Sequence, residues 1–346
     1  MFFIVENVME KKVTIREVAR EAGVAISTAS NALNGSDLVR DETKRRVVEA
    51  AKRLGYVPNM SGRVLKSGKS RQLCFLTSTV TGEYFSRLID AMNHDCVEHG
   101  YGLNIVISRD KNHVMQVLLG GSFDGCFLFE GERIGDEDLD VLHRERVPLV
   151  LLDRKREDTR IGCVLFNSYK ASFSITSHLI GLGHRRFCFV EGNQDNFDAV
   201  ERKRGFLDAL KQGRIDPASA VCIQGYFDEN IAFSAVLALA ADPNYMSASR
   251  PTAYVCGNDR SAIGAIKALK QLGYSVPGQV SVVGFDDMEL SQYFQPALTT
   301  VRTPIEQQAQ TAVAMMVDIL EGKSSGRTEL LDGSIVARDS TWICES

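Results

Sequence analysis

The stretch TIREVAREAGVAISTASNALNG, residues 14–35, decides the fold of the N-terminal part of this 346-residue chain. Thr14 is followed three residues later by Glu17, a capping-box spacing that predicts the start of a helix. Gly23 predicts the end of that helix, because glycine readily adopts the left-handed conformation that terminates helices. A second helix is predicted over about 25–33, and the Asn-Gly pair that closes the stretch predicts its end.

A third helix is predicted over about 41–54 from the spacing of its apolar side chains. The side chains expected to face inward are those of Val47, Val48, Ala51 and Leu54. Two helices that a short glycine-containing turn connects, with a third helix bracing them, form a helix-turn-helix unit. The sequence therefore predicts a small all-α head.

The charged residues are distributed unevenly along the chain. Residues 11–71 contain fourteen Lys/Arg and six Asp/Glu, a net charge of +8. The remainder contains twenty-six Lys/Arg and thirty-eight Asp/Glu, a net charge of −12. A basic segment on an acidic protein indicates that this segment alone contacts a polyanion such as DNA, although a solvated basic face is the alternative.

Beyond a polar linker at 68–71, the pattern changes to alternating strands and helices. The predicted strands are 73–77, 103–107, 125–129, 149–153, 163–166, 187–190, 221–223, 253–256, 280–285 and 330–336. This alternation is typical of parallel sheets with helices on both faces. It extends further than one sheet usually carries, so we expect an α/β core of two doubly wound parallel-sheet lobes.

The ends of these strands predict where a ligand binds. In doubly wound folds, ligands lie beyond the carboxyl ends of the strands. The residues that follow the predicted strands are therefore the first candidates: Tyr84-Phe85, Asn167, Phe227, Asn258-Asp259 and Asp286-Asp287.

Several protein classes are disfavoured. No apolar run approaches the roughly 20 residues of a membrane helix, and the apolar segment at 2–5 is too short for a signal peptide. We therefore expect a cytoplasmic protein without membrane contacts. The eight cysteines never lie two to four residues apart, so we expect reduced thiols and no metal site. The nucleotide-binding, metalloprotease and serine-hydrolase motifs are missing, so we expect no enzyme activity and no cofactor.

Residues 13–67 closely resemble the head of the lac repressor family (the LacI/GalR type). The matching segments are VTIREVAREAGV at 13–24, Ser27–Ser30, Leu33–Gly35, Leu54–Tyr56, Pro58-Asn59 and Arg63–Leu65. Matches in the body include Gly183–Arg186, Arg202, Asn258-Asp259, Val283–Asp287 and Arg338–Thr341. The resemblance covers nearly the whole chain after residue 12 and implies a core similar to periplasmic sugar-binding proteins. Three body segments are similar to the purine-repressor branch: Tyr84-Phe85, Gln224-Gly225 and Phe227.

These observations predict the domain organisation. An N-terminal extension covers 1–12, the helix-turn-helix domain 13–58, and a hinge helix with its linker 59–71. The two-lobed core covers 72–341, and a tail follows at 342–346. The N-lobe is expected to comprise about 72–168 and 302–328, and the C-lobe about 169–301 and 329–341.

The resemblance implies which residues of the head contact DNA. Ile26, Ser27 and Asn31 match the positions that read base edges in the major groove, whereas a solvated helix face is the alternative for any one of them. Asn31 departs from the arginine common in the family, and asparagine prefers adenine over guanine. The full set of implied DNA contacts is Thr14, Ile26, Ser27, Thr28, Ser30, Asn31, Asn34, Asn59, Arg63 and Leu65.

The segment 59–66 resembles the hinge helix of the family. A helix of eight residues is too short to be stable alone in water, so we expect it to fold when two copies pair on DNA. Leu65 matches the apolar wedge that such hinges insert into the minor groove, with packing against the body as the alternative.

The resemblance also implies an effector site. Phe85 and Phe227 match aromatic platforms, and Arg202, Asn258 and Asp286 match a polar clamp, with Asn167 beside them. The alternatives are a helix N-cap for Asp286, a surface ion pair for Arg202 and core positions for the phenylalanines. The family usually has Asp-Asn where this chain has Asn167-Ser168, so we expect the site to lack one carboxylate.

The function that the resemblance implies is sequence-specific repression of transcription. A homodimer would bind double-stranded operator DNA, and a small-molecule effector between the lobes would control the affinity. The expected effector is a sugar or sugar-like metabolite, with a nucleobase or nucleoside as the alternative. An enzyme on the same scaffold and a periplasmic binding protein are the rival interpretations. The missing catalytic motifs disfavour the enzyme, and the DNA-binding head and the missing signal peptide disfavour the periplasmic protein.

Overall fold

The computed structural model describes residues 13–33, 36, 38–57, 68–129, 134–242 and 250–344. The chain divides into two compact units, one ending at Ser70 and the other beginning at Arg71. Across these residues, no helix combines the length and the apolar composition that a membrane span requires.

The described part of the first unit contains three helices: α1 (Ile15–Glu21), α2 (Ile26–Leu33) and α3 (Asp41–Arg53). The Glu17 carboxylate accepts hydrogen bonds from the Thr14 amide at 2.7 Å and from the Thr14 hydroxyl at 3.0 Å. This contact fixes the start of α1 where the sequence predicts it. Small buried side chains form most of the core of the head: Val18, Ala19, Ala22, Ala29, Ala32, Val47, Ala50 and Ala51.

One predicted core position of the head is wrong. The side chain of Val48 is 38% exposed, and Ala50 is fully buried instead. Because an α-helix has 3.6 residues per turn, Val47, Ala50 and Ala51 share the inner face of α3, and position 48 turns away from it.

The second unit contains two six-stranded sheets, which we call the sheets of the N-lobe and the C-lobe. The N-lobe sheet has the order β11-β5-β4-β3-β1-β2, and all its strands are parallel. Its strands are β1 (Gln72–Thr77), β2 (Gly102–Ile107), β3 (Gly125–Leu128), β4 (Leu149–Leu151), β5 (Ile161–Phe166) and β11 (Thr328–Leu331). Its helices are α4 (Glu83–Glu98), α5 (Lys111–Leu119), α6 (Asp136–Arg144) and α12 (Ile305–Leu320).

The C-lobe sheet has the order β12-β10-β9-β8-β6-β7, and β12 is antiparallel to its neighbour. Its strands are β6 (Phe187–Glu191), β7 (Val221–Gln224), β8 (Ala253–Cys256), β9 (Ser281–Asp286), β10 (Thr299–Arg302) and β12 (Ser334–Val336). Its helices are α7 (Ser168–Gly181), α8 (Phe197–Gln212), α9 (Glu229–Ala241), α10 (Asp259–Gln271) and the short α11 (Glu289–Tyr293).

Each sheet has one apolar cluster on either face, which explains why strands such as β5 are buried along their whole length. The two parallel-sheet lobes of the predicted core are confirmed. All eight cysteines carry free thiols, and six of them are buried. Five of these six lie in predicted strands, but Cys222 in the predicted strand 221–223 is exposed, and Cys96 in α4 is buried instead.

The chain crosses between the lobes three times: after Phe166, after Arg302 and after Leu331. The strand predicted over 330–336 is therefore wrong. It consists of β11 in the N-lobe and β12 in the C-lobe, separated by the turn-forming pair Asp332-Gly333. Consequently, residues 329–331 belong to the N-lobe and not to the C-lobe. A further strand, β10, has only four residues and was not predicted from the sequence.

Two helix pairs of the C-lobe pack closely because glycine lies at each contact. A Cβ atom on Gly205 of α8 would overlap the backbone carbonyl oxygen of Tyr169 in α7. A Cβ atom on Gly264 of α10 would overlap the carbonyl oxygen of Glu229 in α9 in the same way. Only a residue without a side chain allows these backbones to approach so closely.

Gly205→Ala is expected to lower the stability of the second unit by about 1–3 kcal/mol, because the backbones of α7 and α8 must move apart. Gly181→Ala is the matched control, since its Cβ atom would meet no atom within 4 Å and alanine favours the helix. The measurement is chemical denaturation of both variants. Equal stabilities would contradict a close backbone contact at Gly205.

Candidate effector and DNA-binding sites

A cavity of about 490 Å³ lies at the carboxyl ends of strands from both sheets of the second unit. Five of the six predicted effector residues line it: Phe85, Arg202, Phe227, Asn258 and Asp286. The volume falls in the range of about 300–1,000 Å³ that is usual for small-molecule sites.

Asp286 is the last residue of β9, and its side chain is only 14% exposed. No described residue donates a hydrogen bond to its carboxylate, and the nearest cationic atom, Nη2 of Arg202, lies 3.9 Å from Oδ1. Burial raises the pKa of Asp286 to about 6, against the lowering effect of Arg202 and with a further rise from Asp198. Its backbone φ of 109° is unusual for a non-glycine residue. A carboxylate held in this way is available to accept hydrogen bonds from a ligand.

Arg202 lies in α8 and is buried beside Asp286. Its Nη1 donates to the carbonyl oxygen of Gly257, and its Nε donates to the Ser168 hydroxyl at 3.3 Å. The guanidinium carbon lies 4.7 Å from the ring centre of Phe285, so the group is held in one plane. No described residue accepts from the remaining N–H groups, which are therefore available to a ligand in the cavity.

Asp198 also lines the cavity, although it was not among the residues predicted from the sequence. It accepts a hydrogen bond of 2.7 Å from the Ser168 hydroxyl, and burial raises its pKa while Arg202 lowers it. Asp198 precedes Arg202 by four residues in α8, so both side chains lie on one face of the helix. The expected loss of a carboxylate at Asn167-Ser168 is thus offset by Asp198, which Ser168 holds in place.

Asn167 is not among the residues that line the cavity, and its predicted place beside the clamp is not what the structure shows. Its Oδ1 accepts from the Lys170 amide at 3.2 Å, so it is the N-cap of α7. Its Nδ2 donates to Asp332 at 2.9 Å. The amide group is therefore committed to backbone capping and to an exposed carboxylate.

The aromatic wall on the N-lobe side is fixed by ring contacts and by one buried amide. Phe85 packs edge-on against Phe129, with 5.1 Å between the ring centres, and against Tyr84 at 5.6 Å. The Tyr84 hydroxyl donates to the Gln308 side chain at 2.7 Å. Gln308 in turn donates to the carbonyl oxygens of Leu152 and Val164, so the wall is anchored to the sheet.

The C-lobe wall depends on Phe227, whose φ is 58°. Asn258 donates to the carbonyl oxygen of Phe227 at 3.1 Å and accepts from the Ser261 amide at 2.9 Å. A side chain on Gly192 would overlap the Phe227 ring, so glycine is required there. Asn258 therefore positions Phe227 and caps α10, a role that differs from the predicted direct clamp.

Asp259, fully buried, holds the turn that carries Asp286. Its carboxylate accepts from the Met288 amide at 2.9 Å, the Ser291 hydroxyl at 2.6 Å and the Thr300 hydroxyl at 2.5 Å. Burial, followed by the charge of Asp286, raises the pKa of Asp259 to about 8. One side chain thus connects the turn after β9 with α11 and β10.

A contact between the lobes lies next to the cavity. Both carboxylate oxygens of Glu83, at the start of α4 in the N-lobe, lie 2.9 Å from the Glu289 amide nitrogen of the C-lobe. Nη1 of Arg87 lies 3.8 Å from Oε1 of Glu83, and the same guanidinium also binds Glu306. Glu83 and Asp286 line the same cavity, so a ligand there contacts both lobes near this link.

In the first unit, the predicted base-reading residues lie on α2. The side chain of Ile26 is 48% exposed, Ser27 is exposed, and Thr28, Ser30 and Asn31 are half-buried. Thr14, ahead of α1, is exposed as well. Four other predicted DNA contacts lie outside the described residues: Asn34, Asn59, Arg63 and Leu65.

The sequence of this chain is similar to those of known regulatory proteins. The sequence profile "Bacterial regulatory proteins, lacI family" matches residues 14–59, and the profile "Periplasmic binding protein-like domain" matches residues 176–341. The chain is 30% identical to the "Probable HTH-type transcriptional repressor ExuR" of Bacillus subtilis (strain 168), over 95% of this chain and 98% of that protein. It is also 30% identical to the "HTH-type transcriptional repressor PurR" of Vibrio atlanticus (strain LGP32), over 90% and 92% of the two chains.

Among solved structures, the chain is similar to the lac repressor dimer bound to operator and the anti-inducer ONPF. The TM-score is 0.84 at 25% identity, over 96% of this chain and 100% of that chain.

Asp286→Asn is expected to stabilise the ligand-free protein at pH 7.5 by about 1–3 kcal/mol. The folded-state pKa of Asp286 lies above its ordinary value, so ionisation opposes folding, and stability is lost as the pH rises through about 6. The gain should shrink as the pH falls from 6 and vanish only below about pH 3.8, where the carboxyl is protonated in the folded and the unfolded protein alike. The measurement is thermal denaturation of both proteins across this pH range.

Asp287→Asn is the matched control at the adjacent position. Although burial acts in the opposite direction, hydrogen bonds from Arg302 and Arg338 hold the pKa of Asp287 below its ordinary value. This substitution should therefore destabilise the protein at pH 7.5. Destabilisation by both variants would show that the charge of Asp286 is already compensated.

Proposed function

The chain belongs to the lacI family of bacterial regulatory proteins, and we propose that its cavity binds a small polar effector through Asp286, Asp198 and Arg202. Members of this family are DNA-binding transcriptional regulators with an effector-binding core. The observation that carries the proposal is the Asp286 carboxylate, which is nearly buried in the cavity without a hydrogen bond from a described residue. A buried acceptor without a donor is unfavourable, and a bound ligand removes that penalty.

Asp286, Asp198 and Arg202 together form what we call the floor of the cavity. A sugar or sugar-like molecule suits this floor. A hydroxyl group both donates and accepts hydrogen bonds, so it can donate to a carboxylate and accept from the Arg202 guanidinium. The rings of Phe85 and Phe227 provide apolar surfaces for the faces of a sugar ring. A nucleobase is the second candidate, because its ring N–H groups can donate to Asp286 while it stacks on the same aromatic rings.

The head supports operator binding by a dimer. Its net charge of +8 suits phosphate contacts, and exposed Ile26 and Ser27 at the start of α2 suit contacts with base edges. A dimer presents two such helices to a pseudo-palindromic site. A regulator of this kind acts in the cytoplasm as a repressor, without enzyme activity and without a cofactor other than the effector.

Asp286→Asn is expected to weaken effector binding by about 10- to 150-fold, the effect of losing one charge-assisted hydrogen bond of about 1.5–3 kcal/mol. Operator affinity without effector should not change, while the response to a fixed effector concentration should be lost. Calorimetry with hits from a thermal-shift screen of sugars and nucleobases, paired with operator titrations, measures both effects.

Asp332→Asn is the control for this experiment, because it changes the partner of Asn167 and does not line the cavity. It should leave effector binding unchanged. A normal effector response in Asp286→Asn would contradict the assignment of the site.

Ile26→Ala is expected to weaken binding to the preferred DNA sequence by about 1 kcal/mol or more, roughly 5-fold, since an apolar contact to a base edge is lost. Binding to random DNA should not change, because it depends on phosphate contacts and falls with salt concentration. Val48→Ala, an exposed apolar residue on α3, is the control. The measurement is titration of a selected operator and of random DNA at several salt concentrations. Equal losses on both DNAs would contradict base reading by Ile26.

A further inference from the structure

We propose that the effector is an acidic sugar whose hydroxyl groups bind Asp286, Asp198 and Arg202 and whose carboxylate binds Arg109. This inference rests on the proposed function of the cavity and adds the charge of its ligand. It depends on a difference between the two sides of the cavity. Arg109, the cation on the N-lobe side, has no carboxylate partner among the described residues, whereas the C-lobe side has two carboxylates beside Arg202.

Arg109 lies just beyond the carboxyl end of β2 and lines the cavity from the N-lobe side. Its only hydrogen bond to a described residue is a long one of 3.5 Å from Nε to the Ser78 carbonyl oxygen. By contrast, Arg260, which lines the cavity from the C-lobe, donates to Asp228 at 3.3 Å. Arg109 is exposed, so most of its donors are available to an anion at the wall of the cavity.

The start of α4 adds a second favourable contribution for an anion. Gly82, at the N-cap with a φ of 103°, has no side chain that could cap this sixteen-residue helix. No described residue accepts from the amides of Glu83, Tyr84 and Phe85, and these three residues line the same cavity as Arg109. Uncapped amides at a helix N-terminus attract negative charge. The Glu83 carboxylate accepts from the Glu289 amide and pairs with Arg87, so it does not cap these amides itself.

The opposite end of the cavity requires hydroxyl groups. Asp198 and Asp286 face a single guanidinium there, so a second anionic group of the ligand would be repelled. An ammonium group would suit the carboxylates, but it has no lone pair to accept from Arg202. Hydroxyl groups satisfy both kinds of partner. A sugar ring with hydroxyl groups at one end and one singly charged carboxylate at the other therefore matches both ends of the cavity.

The experiment is calorimetry on the full-length protein with matched sugars: glucose with glucuronate, galactose with galacturonate, and also gluconate, glucosamine and glucose 6-phosphate. At least one carboxylate sugar should bind 10-fold or more tightly than its neutral partner. Its affinity should fall with ionic strength, since an ion pair at the cavity wall is screened by salt.

Arg109→Gln should lower the affinity for the acid to that of the neutral sugar and remove the salt dependence, with neutral-sugar binding unchanged. Lys111→Gln is the matched control, because Lys111 binds Asp138 and does not line the cavity. Asp286→Asn should weaken acid and neutral sugar alike.

The outcomes separate this inference from the proposed function. Tighter binding of the neutral sugar, the amino sugar or the phosphate, or an acid preference that survives Arg109→Gln, would overturn the acidic-sugar assignment and leave the cavity as the effector site. Full effector affinity in Asp286→Asn would overturn the site itself. Binding of no sugar in the series would overturn the acidic-sugar inference and leave the nucleobase as the effector class for the same cavity.

Discussion

Two carboxylates, those of Asp198 and Asp286, share the one buried guanidinium of Arg202 at the floor of the cavity. The surrounding contacts hold these three groups in place although their charges do not balance. Arg202 cannot move toward Asp286, because Gly257, Ser168 and the Phe285 ring fix its plane. Asp198 is held by the same Ser168 hydroxyl. The floor therefore retains a carboxylate whose charge is only partly compensated, which is unfavourable without a ligand and favourable with one.

The elements that carry this floor also connect the lobes. Asp259 holds the turn from Asp286 to Met288, and the next amide, that of Glu289, donates to Glu83 at the start of α4. A ligand that draws Asp286 toward itself acts on a turn that is directly hydrogen-bonded to the other lobe. This is a physical route by which occupancy of the cavity can change the arrangement of the lobes, and such a change needs a difference in ligand affinity between two arrangements.

Much of the fold could be predicted from local signals. The Thr14-Glu17 capping box predicts the start of α1, and continuous apolar runs predict most strands of both sheets.

The predictions that failed have identifiable physical reasons. The pattern over 330–336 looks like one strand because each half is apolar, although Asp332-Gly333 marks the turn. Asn167 follows a strand as a ligand-binding residue would, and only the structure shows that its amide is used as a helix cap. Asp198 could have been found from its i, i+4 spacing to Arg202, but nothing in the sequence shows that Ser168, thirty residues earlier, lies against it.

The free-energy cost of burying the partly compensated charge of Asp286 is large enough to matter for regulation. A tenfold change in a proton-binding constant corresponds to about 1.4 kcal/mol, so the rise in the pKa of Asp286 to about 6 represents on the order of 1–3 kcal/mol. Coupling free energies between regulatory sites are typically about 1–3 kcal/mol. A ligand that donates hydrogen bonds to Asp286 would recover part of this free energy, and it would favour any arrangement of the lobes that brings its donors to the carboxylate. The same burial that makes the free protein less stable thus strengthens the contribution of Asp286 to ligand binding, and a carboxylate already compensated by the protein would contribute less.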